Sequence, residues 1–363
     1  MCKFHGDALY ALPLVIVLLT AWLPIAHADD AALSTSGRLD LTSMANVSRG
    51  LRSRPASSAL FQWGGSLATG PSLGLPRGLI EFSVEGVRSD ANLPARTGAI
   101  QIPNNEWAPN FLRLYQLTYR QQLGAAALRV GIMDITQYFE VSDQSSLLQN
   151  SSFGLMPTLT ANVNAPTFPN PALGAMAEYR FSPDSLARAG LWQGNPPGLS
   201  GALNTGALWI GEFEHNWSEP GHDTPLSDLK LGVWHASQSD PTIGPTTSGG
   251  YLVGETRWTR GAQQWGLFVL GGTSPANVNL VTQFLATGFL VTGPFASRLQ
   301  DLFSLGVSRV YLHAPEPETV VEAVYSWQLT PALALQPDMQ RFWHPGGTNP
   351  SALVAGLRLH LAF

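Results

Sequence analysis

The stretch Ala355-Gly356-Leu357-Arg358-Leu359-His360-Leu361-Ala362-Phe363 decides the fold class. In an extended chain, side chains i and i+2 share a face. Ala355, Leu357, Leu359, Leu361 and Phe363 then form an apolar face, and Gly356, Arg358, His360 and Ala362 face the other way. The same two-residue rhythm recurs upstream. Ile80, Phe82 and Val84 alternate with Glu81, Ser83 and Glu85; Leu128, Val130 and Ile132 with Arg129 and Gly131. Leu229, Leu231 and Val233 alternate with Lys230, Gly232 and Trp234, and Val321, Ala323, Tyr325 and Trp327 with Glu322, Ser326 and Gln328. Helical periodicity is nearly absent, so the chain reads as all-β.

Two-faced strands suit either a soluble sandwich, whose apolar face is a core, or a membrane barrel, whose apolar face meets lipid and whose polar face lines a wet lumen. Composition favours the barrel. Charged residues make up 12% of the 363 positions, about half of the roughly 25% usual in soluble domains. The chain holds two lysines, Lys3 and Lys230, although soluble surfaces and sheet edges use lysine heavily. Tyr115, Tyr119, Trp258, Trp265, Tyr325 and Trp327 sit near expected strand ends, where interfacial aromatic belts form. A terminal aromatic such as Phe363 also suits recognition by the outer-membrane assembly machinery. Closure into a barrel removes the open sheet edges that hydrocarbon cannot tolerate.

Residues 1–28 read as a secretory signal peptide. The apolar run Ala11–Ile25 is shorter than the ~20 residues of a spanning helix, and Ala26-His27-Ala28 fits the cleavage pattern. The sole cysteine, Cys2, leaves with it. Residues 29–363 form one domain, with room for sixteen strands of ~10 residues each. Sixteen strands are enough to enclose an aqueous channel. Loops are expected in the Gly- and Pro-rich stretches 64–78, 91–109, 157–171, 195–206 and 237–250. The net charge of −5 leaves no basic footprint for nucleic acid.

Three segments carry a family resemblance, the third being Gly266-Leu267-Phe268 with Ser274-Pro275, Gly288 and Gly293. Pro337-Asp338-Met339-Gln340 with Pro345-Gly346-Gly347, then Gly356-Leu357-Arg358 and Phe363, resembles the carbohydrate-selective (OprB-type) outer-membrane porins. So does Gly131-Ile132-Met133-Asp134 followed by Phe139, Asp143, Asn150-Ser151-Ser152-Phe153-Gly154 and Pro157. The resemblance implies a passive outer-membrane channel for sugars and other small hydrophilic solutes, often trimeric, with loops folded into the lumen to form a constriction. Asp134, Asp143, Asn150, Phe153, Pro337, Asp338, Gln340, Pro345, Gly346, Gly347 and Phe363 are the matched positions.

Sugar passage needs weak, exchangeable hydrogen bonds, because a conducting site must also release. Alternation places Glu81, Glu85, Arg129, Glu178, Arg180, Glu212, Glu214, Glu255, Arg257 and Arg358 toward the lumen as candidates. Trp343 is a candidate stacking surface; Trp192 and Trp234 suit either stacking or a girdle. The bland alternative is a set of ion pairs that keep the barrel round. Cofactor and metal motifs are absent: His215 and His222 lack a metal spacing, and no nucleophile elbow occurs. A general or ion-selective pore is the competing channel reading. A structural or adhesive barrel would not conduct. An enzymatic barrel would need a catalytic group such as His344 beside Asp338.

Overall fold

A computed structural model describes residues 33–194, 206–217, 227–238 and 246–363. The expected signal peptide and parts of two expected loops, 195–205 and 239–245, lie outside the described residues. Sixteen strands follow one another: β1 (Leu33–Arg49), β2 (Ala56–Ala68), β3 (Gly78–Ser89), β4 (Phe111–Leu123), β5 (Ala126–Met133), β6 (Ala172–Ser182), β7 (Ser185–Gln193) and β8 (Gly206–Trp217). The second half comprises β9 (Ser227–Gln238), β10 (Thr247–Arg260), β11 (Gln263–Thr273), β12 (Val281–Thr292), β13 (Leu302–Leu312), β14 (Glu318–Thr330), β15 (Leu333–Trp343) and β16 (Ala352–Ala362). Each strand pairs antiparallel with its neighbours, and β1 closes on β16, so the sheet has no edge. The stretch around Gly64, expected as loop, is the end of β2, and Gly249–Gly250 belong to β10.

Closure runs through the last residue. The Phe363 N–H donates to the Gly37 carbonyl at 2.9 Å, and the Phe363 carbonyl accepts from the Gly37 N–H at 2.7 Å. The Phe363 ring stacks with Phe61 over the space a side chain at position 37 would need. The alternation appears as geometry. On β16, Arg358 is buried inside while Leu357 is 47% exposed outside. Outward Leu112 reaches 74% exposure and Val233 58%. An apolar belt of this extent has no place in water. No described helix is long and apolar enough to cross a membrane; the strands do so. Outward aromatics run in rows near the end that carries the termini: Trp258, Trp265, Phe289 and Phe303 with centroids 6.4, 5.9 and 5.9 Å apart. Trp327 and Tyr325 share that face. Tyr115, expected in this girdle, does not: a bulge in β4 against Ser83–Val84 turns both Tyr115 and Gln116 inward.

The connections differ by end. The terminus end has tight turns, as between β4 and β5 or β10 and β11. The opposite end carries the long connections 90–110 and 134–171.

Candidate functional site

Segment 134–171 joins neighbouring strands β5 and β6 but is hydrogen-bonded to strands across the ring, so it crosses the lumen. It leaves β5 at Asp134, whose Oδ1 accepts from the Thr136 N–H and hydroxyl at 2.7 Å, while Tyr115 donates to Oδ2. The Glu140 N–H then donates to Glu212 on β8 at 3.0 Å. On β10, Glu255 accepts from the Ser142 hydroxyl (2.6 Å) and the N–H groups of Asp143 (3.2 Å) and Gln144 (2.7 Å). On β14, Glu322 accepts from the N–H groups of Gln149 (2.5 Å) and Asn150 (3.1 Å). The Asn150 amide reaches Gln340 on β15 at 3.1 Å. A loop inside a barrel has no sheet partner for its N–H groups, which must still be satisfied. Wall carboxylates do this with charge-assisted bonds, each accepting more than one.

The shorter segment 90–110 is hung the same way. Glu318 on β14 accepts from the N–H groups of Ile100 (2.9 Å), Gln101 (2.8 Å) and Gly346 (2.6 Å). Gly346 and Gly347 make that turn possible, with φ of 62° and 79° in the region only glycine enters freely. Arg358 on β16 donates to Asn104 (3.0 Å) and Asn105 (3.1 Å) and pairs with Glu106 at 3.3 Å. Ser151 and Ser152 bind the two segments together through Ile102 and Gln101.

Apolar packing seals the contact. Ile135, Phe139, Leu148, Phe153, Met156 and Leu159 are buried against inward Trp192, Trp234, Phe268 and Val324. Phe139 meets Trp192 edge-on at 5.6 Å, and Phe153 meets Phe268 at 5.9 Å. Within the segment, burial pushes the Glu140 carboxyl up to about 8 and also raises Asp134. Burial raises Glu106 as well, against the pull of Arg358 and Arg38.

Residues 34–363 match the family model of the carbohydrate-selective porin, OprB family. The chain belongs to that family. This porin is an integral outer-membrane β-barrel and a passive channel for carbohydrates, and its family and fold are those of a channel. No curated protein matches it in sequence. Its fold is similar to the high-pH structure of Pseudomonas putida OprB, at 18% identity and TM-score 0.82, covering 92% of this chain and 94% of that one. The low-pH structure of the same protein gives 16% identity and TM-score 0.63, covering 92% and 93%. A mutant of the Rh. blastica porin gives 12% identity and TM-score 0.57, covering 91% and 100%.

In this porin the charged candidates on the strands share the inward face but have different surroundings. Arg129 pairs with Glu81, donates to Thr118 at 3.0 Å and lies over the Tyr138 ring. Glu85 is buried and accepts from Gln62 at 2.7 Å. Glu178 pairs with Arg120 at 3.5 Å. Arg188 holds Glu212 at 2.6 Å and Glu214 at 2.7 Å. Glu255 is a peg for the segment, and Arg358 is spent on positions 104–106. Arg180 is exposed beside the β6–β7 turn, donating to the Pro183 carbonyl. Asp143 is exposed at the segment's tip. Asp143, Gln144, Glu214, Asp228, Lys230 and Arg257 line a cavity of about 150 Å³ between that tip and β8–β10. Asn150 caps a short 3₁₀ turn that carries buried Phe153. Asp338 and Gln340 are buried neighbours at 3.3 Å. Pro337 faces outward where the β14–β15 ladder skips two pairs, as a residue without an N–H requires. Pro345 opens the turn at Gly346 and Gly347.

Three expectations are corrected. Trp343 lies on the outward face, one residue beyond inward Phe342, so it cannot stack a solute in the lumen. Trp192 and Trp234 are neither stacking surface nor girdle, because the inserted segment covers them. His344 is exposed in the turn after β15 while Asp338 is buried inside the barrel, so they form no catalytic pair. Alternation alone missed Arg188 and Glu318, and it placed Lys230 on the polar face but outside the solute candidates. Apolar Leu186 and Trp192 point inward around Arg188, and Val320 and Val324 do so after Glu318, which blurs the polar stripe.

Proposed function

We propose that sugars pass this porin along a polar strip between the tip of segment 134–171 and β8–β10. Asp143, Glu214, Asp228 and Arg257 would exchange hydrogen bonds with sugar hydroxyls there. The observation carrying this reading is the pegging of the segment across the lumen, which leaves a cavity lined by polar and charged groups at its tip. Arg120, Gln122, Glu178 and Arg180, around a second cavity of about 90 Å³ near the terminus end, extend the strip. Each contact is a single hydrogen bond worth roughly 0.5–1.5 kcal/mol, weak enough to release. Phe363 is the signal read by the assembly machinery, the barrel assembles as a homotrimer, and residues 1–28 are removed on export.

The test is planar-bilayer conductance of the purified mature chain titrated with mono- and disaccharides. Current should fall with added sugar, and Asp143→Ala and Arg257→Ala should each weaken the block by roughly two- to tenfold, one hydrogen bond's worth. Steady channels indifferent to every sugar would make this a general diffusion pore.

A further inference from the structure

Every aspartate and glutamate on the sixteen strands points inward. Near the long-loop end, three arginines do not. Arg88 on β3, Arg309 on β13 and Arg341 on β15 lie on the outward face near the long-loop end, and none has a carboxylate partner among the described residues. An outward arginine is tolerated only near the edge of the hydrocarbon, with its cost rising with depth. Two of the three belong to one built patch. Arg309 and Trp343 both pair across the sheet with Thr319, and Arg341 lies one step along β15 opposite Val321. The Arg309 guanidinium sits over Tyr311 at 5.3 Å and that of Arg341 over Trp343 at 5.6 Å. Each ring supports a planar cation and leaves its N–H fork free to bind.

We propose that this patch binds the phosphate of an outer-leaflet lipid headgroup. Long loops mark the outer side of such barrels and short turns the inner side, so the patch faces the outer leaflet at headgroup level, where aromatics gather. Guanidinium forks match phosphate oxygens in a bidentate way. A second copy of the chain offers no carboxylate from its outward strand faces, so charge complementarity favours the lipid.

The test is native mass spectrometry of the purified barrel in detergent, with diphosphoryl lipid A or phosphatidylcholine added. The wild type should keep lipid A as a discrete adduct. R309Q/R341Q should bind it on the order of tenfold more weakly or worse, as expected for losing charged hydrogen bonds, with conductance and heat-modifiable gel mobility unchanged. R309K/R341K, which keeps charge but loses the fork, should fall between and still reads the site if the glutamine variant fails to fold. Lipid A binding equal in wild type and both variants, or equal retention of phosphatidylcholine by the wild type, would overturn the proposal. So would a variant that loses oligomeric mass while its lipid A adduct persists, which would assign the patch to a contact between copies.

Discussion

The wall that pegs the inserted segments and the wall left open beside it are built from the same sixteen strands and use their charges differently. Where the segments are pegged, Glu212, Glu255, Glu318 and Glu322 accept backbone N–H groups, and Arg358 holds two asparagines beside its ion pair with Glu106. On the open wall, charge meets charge: Glu81 with Arg129, Glu178 with Arg120, Glu214 with Arg188. The first arrangement fixes a loop, because a backbone donor cannot move away without leaving a carboxylate or an N–H unpaired. The second leaves side chains that can exchange partners with a passing solute. A charged residue in a lumen is therefore informative only once its partner is known.

The comparison breaks most sharply at Glu322. Glu322→Ala leaves the buried N–H groups of Gln149 and Asn150 without an acceptor, at about 1–3 kcal/mol each. Segment 134–171 should loosen, and bilayer recordings should show larger, noisier currents together with new protease cleavage inside the segment. Arg358→Ala should release segment 90–110 instead, at a cost of roughly 1–3 kcal/mol, because Asn104 and Asn105 lose their donor while Glu106 keeps Arg38 at 3.2 Å. Protease mapping should find cleavage confined to that segment.

Glu140 gives the pH dependence. Burial raises its carboxyl from 4.5 to about 8, so the seated segment holds a proton that the released one gives up. Seating is strongest below 4.5 and weakens as pH rises through 8. Cleavage of the segment should increase over that window, and Glu140→Gln should flatten the rise. The smallest effect is expected at Arg180, whose exposed side chain donates to the Pro183 carbonyl of its own turn. Arg180→Ala should change stability by no more than about 0.5 kcal/mol while shifting ion selectivity in reversal-potential measurements.

The barrel was legible because each strand separates two solvents, and residues such as Leu357 and Arg358 show this in period two. The inserted segments were far less so. Where Phe139, Leu148 and Phe153 of one segment and Leu93 of the other cover the wall, inward positions become apolar, so Val324 under the first and Val320 and Phe342 beside the second erase the alternation that marks a wet face. Trp343 was misplaced for that reason: with Phe342 inward and apolar, the face of either aromatic could not be read from polarity. The bulge at Tyr115 reverses the face without any local signal. Family positions such as Asn150 and Gln340 marked the right places, but their partnership depends on a crossing of the lumen that no sequence spacing displays.

The most direct measurement compares sugar-titrated single-channel current in the wild type and Glu255→Ala, which frees Asp143 and Gln144 from β10. The wild-type current should fall with added sugar, and the variant should show a larger current and a weaker block. Channels in which the wild type ignores every sugar, or in which the variant is indistinguishable from it, would contradict the claim that the pegged segment forms the solute path.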